Sequence, residues 1–215
     1  MNRLAQFLHY TGKVFGLKAL LRTVRDGRSE PQVPLLPLVV CLVLGVLMRI
    51  GSYLDLAQQT QSRRRWRHLC GLKAPVHHEI FGYATERMTP EDWRQSQAQV
   101  AKQLKGNKAL ESCKINGLLF LSIDANEHFA SFSRTCPRCC QRQVEVLNDD
   151  AQKVKVTQYY HRYVFAHLGG PKLNLLLDVE PLLPGEDECA AALRLLGRVR
   201  RLYETVPSRR SRRPR

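Results

Sequence analysis

Hydrophobic residues recur at helical spacing through the first half of the chain, and the pattern becomes strand-like near residue 115. Phe7 to Arg25 is an amphipathic segment, and DGRSEPQVP, from Asp26 to Pro34, is a polar linker. Val33 to Met48, VPLLPLVVCLVLGVLM, carries no charge over 16 positions. A membrane-crossing helix needs about 20 apolar residues, and this run stops at Arg49. Pro34 and Pro37 stand at its start, where a first helical turn tolerates them. The run therefore predicts a helix buried in a protein core, continued by the amphipathic RIGSYLDLAQQ. Gln61 to Leu69 is a basic stretch around Trp66. Thr89 opens a further helix reaching Leu104, with a hydroxyl at the cap, Pro90 at the first position, and Glu91 and Asp92 in the first turn.

Beyond residue 115 the signals are for strands. Gly117 to Ile123, GLLFLSI, is a short apolar strand ending at Asp124. Val154 to Leu168 is rich in β-branched and aromatic residues, and Lys172 to Val179 is a third strand. Glu186 to Val206 then reads as a helix, with Glu186, Asp187 and Glu188 in its first turn. Three sequential strands and one helix predict an α+β unit, an antiparallel sheet with a helix on one face and its other surface uncovered. The organisation expected is a helical domain over 1–114, an α+β domain over 115–206, and a solvated arginine-rich tail over 207–215.

Composition excludes a disordered or fibrous chain, since 44% of residues are hydrophobic and 25% charged. Charge narrows the partners. Thirty-four Lys and Arg against 19 Asp and Glu give +15, a field that draws polyanions such as nucleic acid or an anionic membrane surface. Arg63, Arg64, Arg65 and Arg67 surround Trp66 in RRRWRH, where the guanidinium forks suit phosphate oxygens and the indole packs inward. Lys102, Lys105 and Lys108 recur every third residue and would share a helical face able to follow a DNA backbone. The adjacent His77 and His78 would point apart on a helix and receive no role. The helix over Val33 to Met48, flanked by basic residues, leaves a membrane-associated basic protein as a competing reading.

Seven cysteines in a chain that opens without a secretory signal indicate a reducing, cytoplasmic setting. Cys41, Cys70, Cys113 and Cys189 lie among apolar neighbours and are expected to be buried thiols. Cys136 and Cys139 form CPRC, with Cys140 adjacent. That spacing lets two thiolates share one Zn²⁺, and a closed site needs two further ligands. His128 and His161 are the candidates if the first two strands pair as a hairpin; otherwise the cysteines are thiols in an exposed loop. A thioredoxin-like redox use fits less well, because no helical pattern follows the pair.

The order of these motifs is more specific than any one of them. LSIDANEHFAS, CPRC, TQYYHRYVFAHL and LDVEPLLPGEDECAAALRLLGRV together resemble the first half of the catalytic domain of bacterial insertion-sequence transposases of the DDE type. The earlier HLCGLKAPVHHEIFGYATERMTPEDW resembles the all-helical domain that precedes it. The resemblance implies an incomplete ribonuclease-H-like fold, DNA as partner, and DNA transposition by strand cleavage and transfer with two Mg²⁺ ions held by three carboxylates. Asp124 would be the first of these and a Mg²⁺ ligand. The strand bearing the second carboxylate would follow the last helix, where this sequence reads ETVPSRRSRRPR. The expectation is therefore a truncated transposase, nucleoid-associated in the cytoplasm and catalytically incomplete, with no small-molecule substrate and no membrane partner. A non-catalytic regulator that binds DNA, self-associates, or pairs with an intact transposase and inhibits it is the alternative.

Overall fold

The computed structural model describes residues 3–133, 135–148, 151–170 and 173–204. Expectations for the tail at 207–215 fall outside them. The described residues form a mixed α+β protein, with eight α-helices and a four-stranded antiparallel sheet, in two compact units that divide at Val100/Ala101.

The first unit is helical: α1 (Arg3–Phe15), α2 (Leu17–Leu21), α3 (Leu35–Leu47), α4 (Tyr53–Ser62), α5 (Arg64–Cys70), α6 (His78–Glu86) and the start of α7 (Pro90–Gly106). α3 is apolar on every side, and its middle is enclosed while Val46 and Leu47 at its end stay exposed. Leu38, Val39, Cys41 and Leu44 are fully buried, packed among Leu21, Leu56, Trp66, Val76 and Phe81. Trp66 points inward as its context implied, and its indole N–H donates to the Cys41 sulfur at 3.3 Å. At 13 residues α3 is too short to span a bilayer, and no described helix is long and apolar enough to do so.

Polar contacts tie these helices together. The Thr60 hydroxyl donates to the Ala57 carbonyl and accepts from the Val76 amide at 2.9 Å. The Asp92 carboxylate accepts from both the amide and the guanidinium of Arg25, at 2.9 and 3.1 Å. Those two Arg25 donors hold the Asp92 carboxyl below the ordinary aspartate range.

The second unit is built on one long strand. β1 (Phe120–Ser131), β2 (Cys140–Leu147), β3 (Lys153–Gly169) and β4 (Asn174–Pro181) are followed by α8 (Glu188–Glu204). β3 is central. β1 lies along one of its edges, while β2 and β4 occupy the other edge in succession, opposite 153–160 and 163–169 respectively. β1 has no strand partner on its outer edge among the described residues.

The helix covers one face of this sheet. Val164, Ala166 and Leu168 of β3 and Leu177 of β4 pack with Ala191, Leu195 and Val199 of α8, joined by Ile123 and Ala125 of β1. Asp178 and Glu180 of β4 point to the same side and are paired with Arg198 and Arg194 of α8. Asp187 caps the helix, its carboxylate accepting from the Ala190 amide at 2.8 Å. A close approach fixes the β3–β4 turn: a Cβ on Gly170 would stand 2.5 Å from the backbone Cα of Cys113.

Several expectations are corrected here. There are four strands rather than three, because the polar segment after CPRC pairs with β3. The first strand runs on to Ser131, so Asp124 lies within a strand and not at its end. Cys189 is exposed rather than buried, since it falls in the first turn of α8 and away from the sheet.

Candidate metal centre and basic surfaces

CPRC folds as a tight turn, with the Cys139 amide donating to the Cys136 carbonyl at 3.0 Å. The Cys136 amide in turn donates to the Cys139 sulfur at 3.2 Å, which fixes the sulfur's position in the turn. The turn delivers both sulfurs to His161 on β3. The sulfurs are 3.7 Å apart, and each is 3.4 Å from His161 Nε2. For tetrahedral zinc, ordinary bond lengths require about 3.8 Å between two sulfurs and about 3.5 Å between sulfur and nitrogen. The three groups therefore already stand at coordination spacing. Cys136 is exposed and Cys139 buried, so the cluster sits at the surface with one side open.

The neighbouring candidates are elsewhere. Cys140 begins β2 and by strand alternation turns into the core, its sulfur 3.8 Å from the Leu182 and Leu183 carbonyls. Burial, reinforced by the Cys139 thiol, pushes the Cys140 thiol up from its ordinary value. His128 does not join the cluster; its ring lies against Tyr163 and Phe165, at 5.7 and 5.4 Å between centroids.

Asp124 pairs in register with Phe165, on the sheet face opposite α8. One of its oxygens accepts from the Ala125 amide at 2.8 Å. Asp178 and Glu180 project from the other side of the same sheet toward α8 and its arginines. No described Asp, Glu, His or Cys joins Asp124 in a cluster that could hold an ion.

The basic residues separate into two groups. Arg63, Arg64 and Arg65 are exposed at the start of α5, whereas Arg67 turns back and donates to the Thr60 and Gln61 carbonyls at the end of α4. In the second unit Lys102 and Lys105 lie exposed on α7, but Lys108 is past its end, with φ at 58°, so the three lysines do not share one helix face.

Sequence reasoning missed three features. An open groove of about 540 Å³ between α1, α2 and α5 is lined by His9, Lys18, Arg22 and His68 over an apolar floor that includes Leu8 and Leu17, with no acidic lining residue. His77 stands in extended conformation just before α6, so its ring meets that of His78 at 4.1 Å, with Glu79 beside them. That cluster is exposed and sits at the positive end of a helix, which disfavours a cation. The third is a row of rings on β3, His161, Tyr163, Phe165 and His167, legible as alternate aromatic positions in YYHRYVFAH.

Comparison of the chain with protein families, with characterised proteins and with solved structures finds no match.

Proposed function

We propose that the chain is a DNA-binding relative of DDE-type transposases whose strand-transfer centre is incomplete, and that Cys136, Cys139 and His161 hold a structural zinc ion. The observation that carries the first part is the position of Asp124. It lies on the first of three strands joined antiparallel in the order β1–β3–β4, and an α-helix follows. That succession is what the motif resemblance requires of the first half of a ribonuclease-H-like domain. A two-metal reaction needs several carboxylates around the ions. Here Asp178 and Glu180 are committed to α8, Glu127 is paired with Arg142 and Glu145 with Lys153, so among the described residues no acid joins Asp124 in a cluster. One carboxylate holds Mg²⁺ feebly, because that ion gives up its water reluctantly.

DNA as partner rests on the +15 charge, the exposed Arg63 to Arg65, and the groove of Lys18, Arg22, His9 and His68, where no acid offsets the cations. Zinc rests on the spacing of three ligands and on the backbone N–H held to the Cys139 sulfur. The outer edge of β1, which has no strand partner among the described residues, favours a second reading as well: a regulator that pairs with another copy or with an intact transposase.

Duplex binding followed by fluorescence polarisation at increasing salt tests the first reading. Affinity should fall steeply, because binding releases counterions, and Lys18→Glu with Arg22→Glu should weaken it and flatten the slope. Purified chain should leave supercoiled plasmid intact in Mg²⁺ or Mn²⁺; cleavage abolished by Asp124→Ala would refute the incomplete centre. Elemental analysis should find one zinc per chain, absent in Cys136→Ser.

A further inference from the structure

The two faces of the sheet are chemically unlike. Under α8 the residues are aliphatic: Val164, Ala166, Leu168, Ile123 and Ala125. On the opposite face β3 presents His161, Tyr163, Phe165 and His167, and the bulge in β1 brings His128 over them. Successive rings along β3 have centroids 6.0 to 6.5 Å apart. None of these rings belongs to the apolar core beneath the helix, and each is partly open to solvent or fully exposed. The open face is made of flat rings, most of them with polar edges.

We propose that this face is a stacking platform for single-stranded DNA, an assignment that rests on the DNA-binding reading above and names a second mode for it. Aromatic rings in a row accept the faces of successive bases, whatever their sequence. The interval selects a single strand. Two residues of a β-strand advance about 6.6 Å, roughly twice the 3.4 Å between stacked bases of a duplex. A stretched single strand meets that interval, and a duplex, with its base faces covered, does not. Polar side chains lie beside the rings in register: Ser122 opposite His167, Asp124 opposite Phe165, and Asn126 opposite Tyr163. Asn126 and Ser122 can bond to base edges, and the Asp124 carboxylate accepts from exocyclic amines while repelling phosphate. Bases are thereby turned toward the sheet and the backbone toward its rim. Arg138, exposed in the CPRC turn that closes on His161, lies at one end of the row. The complementary charge is the excess of the whole chain.

The test uses the full-length chain and three fluorescent probes: a 15-nucleotide mixed-base DNA strand, an abasic strand of the same length, and a 15-base-pair duplex. The base-bearing strand should bind at least 10-fold tighter than the abasic one. Phe165→Ala and Tyr163→Ala should each weaken it by about 5- to 100-fold, with Phe165→Trp restoring it and duplex affinity unchanged. Zinc content and far-ultraviolet circular dichroism verify that each variant folds. Equal affinity for the base-bearing and abasic strands of the unaltered protein overturns the platform even if a variant misfolds, and leaves duplex binding standing. Failure of all three probes overturns the DNA-binding reading itself. A matching RNA strand held 10-fold tighter than the DNA strand overturns the assignment to DNA.

Discussion

Along β3 the residues that make the core and the residues that remain available for chemistry alternate one by one. Val164, Ala166 and Leu168 turn toward α8 and are buried; His161, Tyr163, Phe165 and His167 turn away and are not. The helix side also holds the acids of β4, each bonded to an arginine. The open side holds Asp124 and the Cys136, Cys139, His161 cluster. Stability and reactivity are thus separated by the pleat of a single strand, and changes on the two faces should have different readouts.

The largest effect is expected on the covered face. Leu195 of α8 is fully buried, and Leu195→Ala should cost about 3 kcal/mol in urea unfolding. Asp178→Ala should cost a little less, about 2 to 3 kcal/mol, because it removes one of the two carboxylates that hold Arg198 under the helix and leaves only Glu180. Nucleic-acid affinity measured on the folded fraction should not change in either variant. Chelation comes next. If zinc is held at 100 times its dissociation constant, removing it should lower stability by about 2.7 kcal/mol, and melting with and without a chelator measures this. Cys139→Ser should melt at the chelated temperature whether or not zinc is added. A smaller effect is expected from Phe165→Ala, which leaves an open surface rather than a cavity. Its stability cost should stay below about 1.5 kcal/mol, with the loss appearing in strand binding. If Phe165→Ala destabilises as much as Leu195→Ala, the two faces are not distinct.

The smallest effect lies in the helical unit and acts as a control. The Arg25 amide and guanidinium lower the Asp92 carboxyl, and the Arg28 side chain likewise lowers Asp26. Their contribution is complete above the unfolded value, about 3.9, and is lost as pH falls through the lowered folded values. Helical signal should therefore decline below about pH 4, and Asp92→Asn should flatten that decline while leaving the zinc site intact.

Some of this was legible in the sequence. The uncharged run of α3 gave its own burial, and C-x-x-C together with a histidine on a neighbouring strand was enough to find the cluster. The extent of β1 was hidden because Asp124, Asn126 and His128 lie on the open face, where polarity mimics a loop. β2 was hidden for a related reason. CQRQVEVL opens with the polar run Gln141, Arg142, Gln143, which reads as a loop, and β3 supplies a partner for each of its positions. His77 and His78 meet because the helix begins between them, a boundary one residue wide. Arg67 is diverted by carbonyls at the end of α4, a tertiary contact that periodicity does not contain.

Both edges of β3 are interrupted at nearly the same place. β2 stops pairing at Tyr160 and β4 starts at Tyr163, while β1 slips register between Glu127 and Phe129, opposite Arg162 and His161. The sheet thus has a seam running across it, and His161 lies on that seam with the CPRC turn folded over it. An ion held by these three side chains would act as a clasp between the β2–β3 arm and the body under α8. Opening the clasp should turn the seam into a hinge, seen as faster amide exchange confined to the arm.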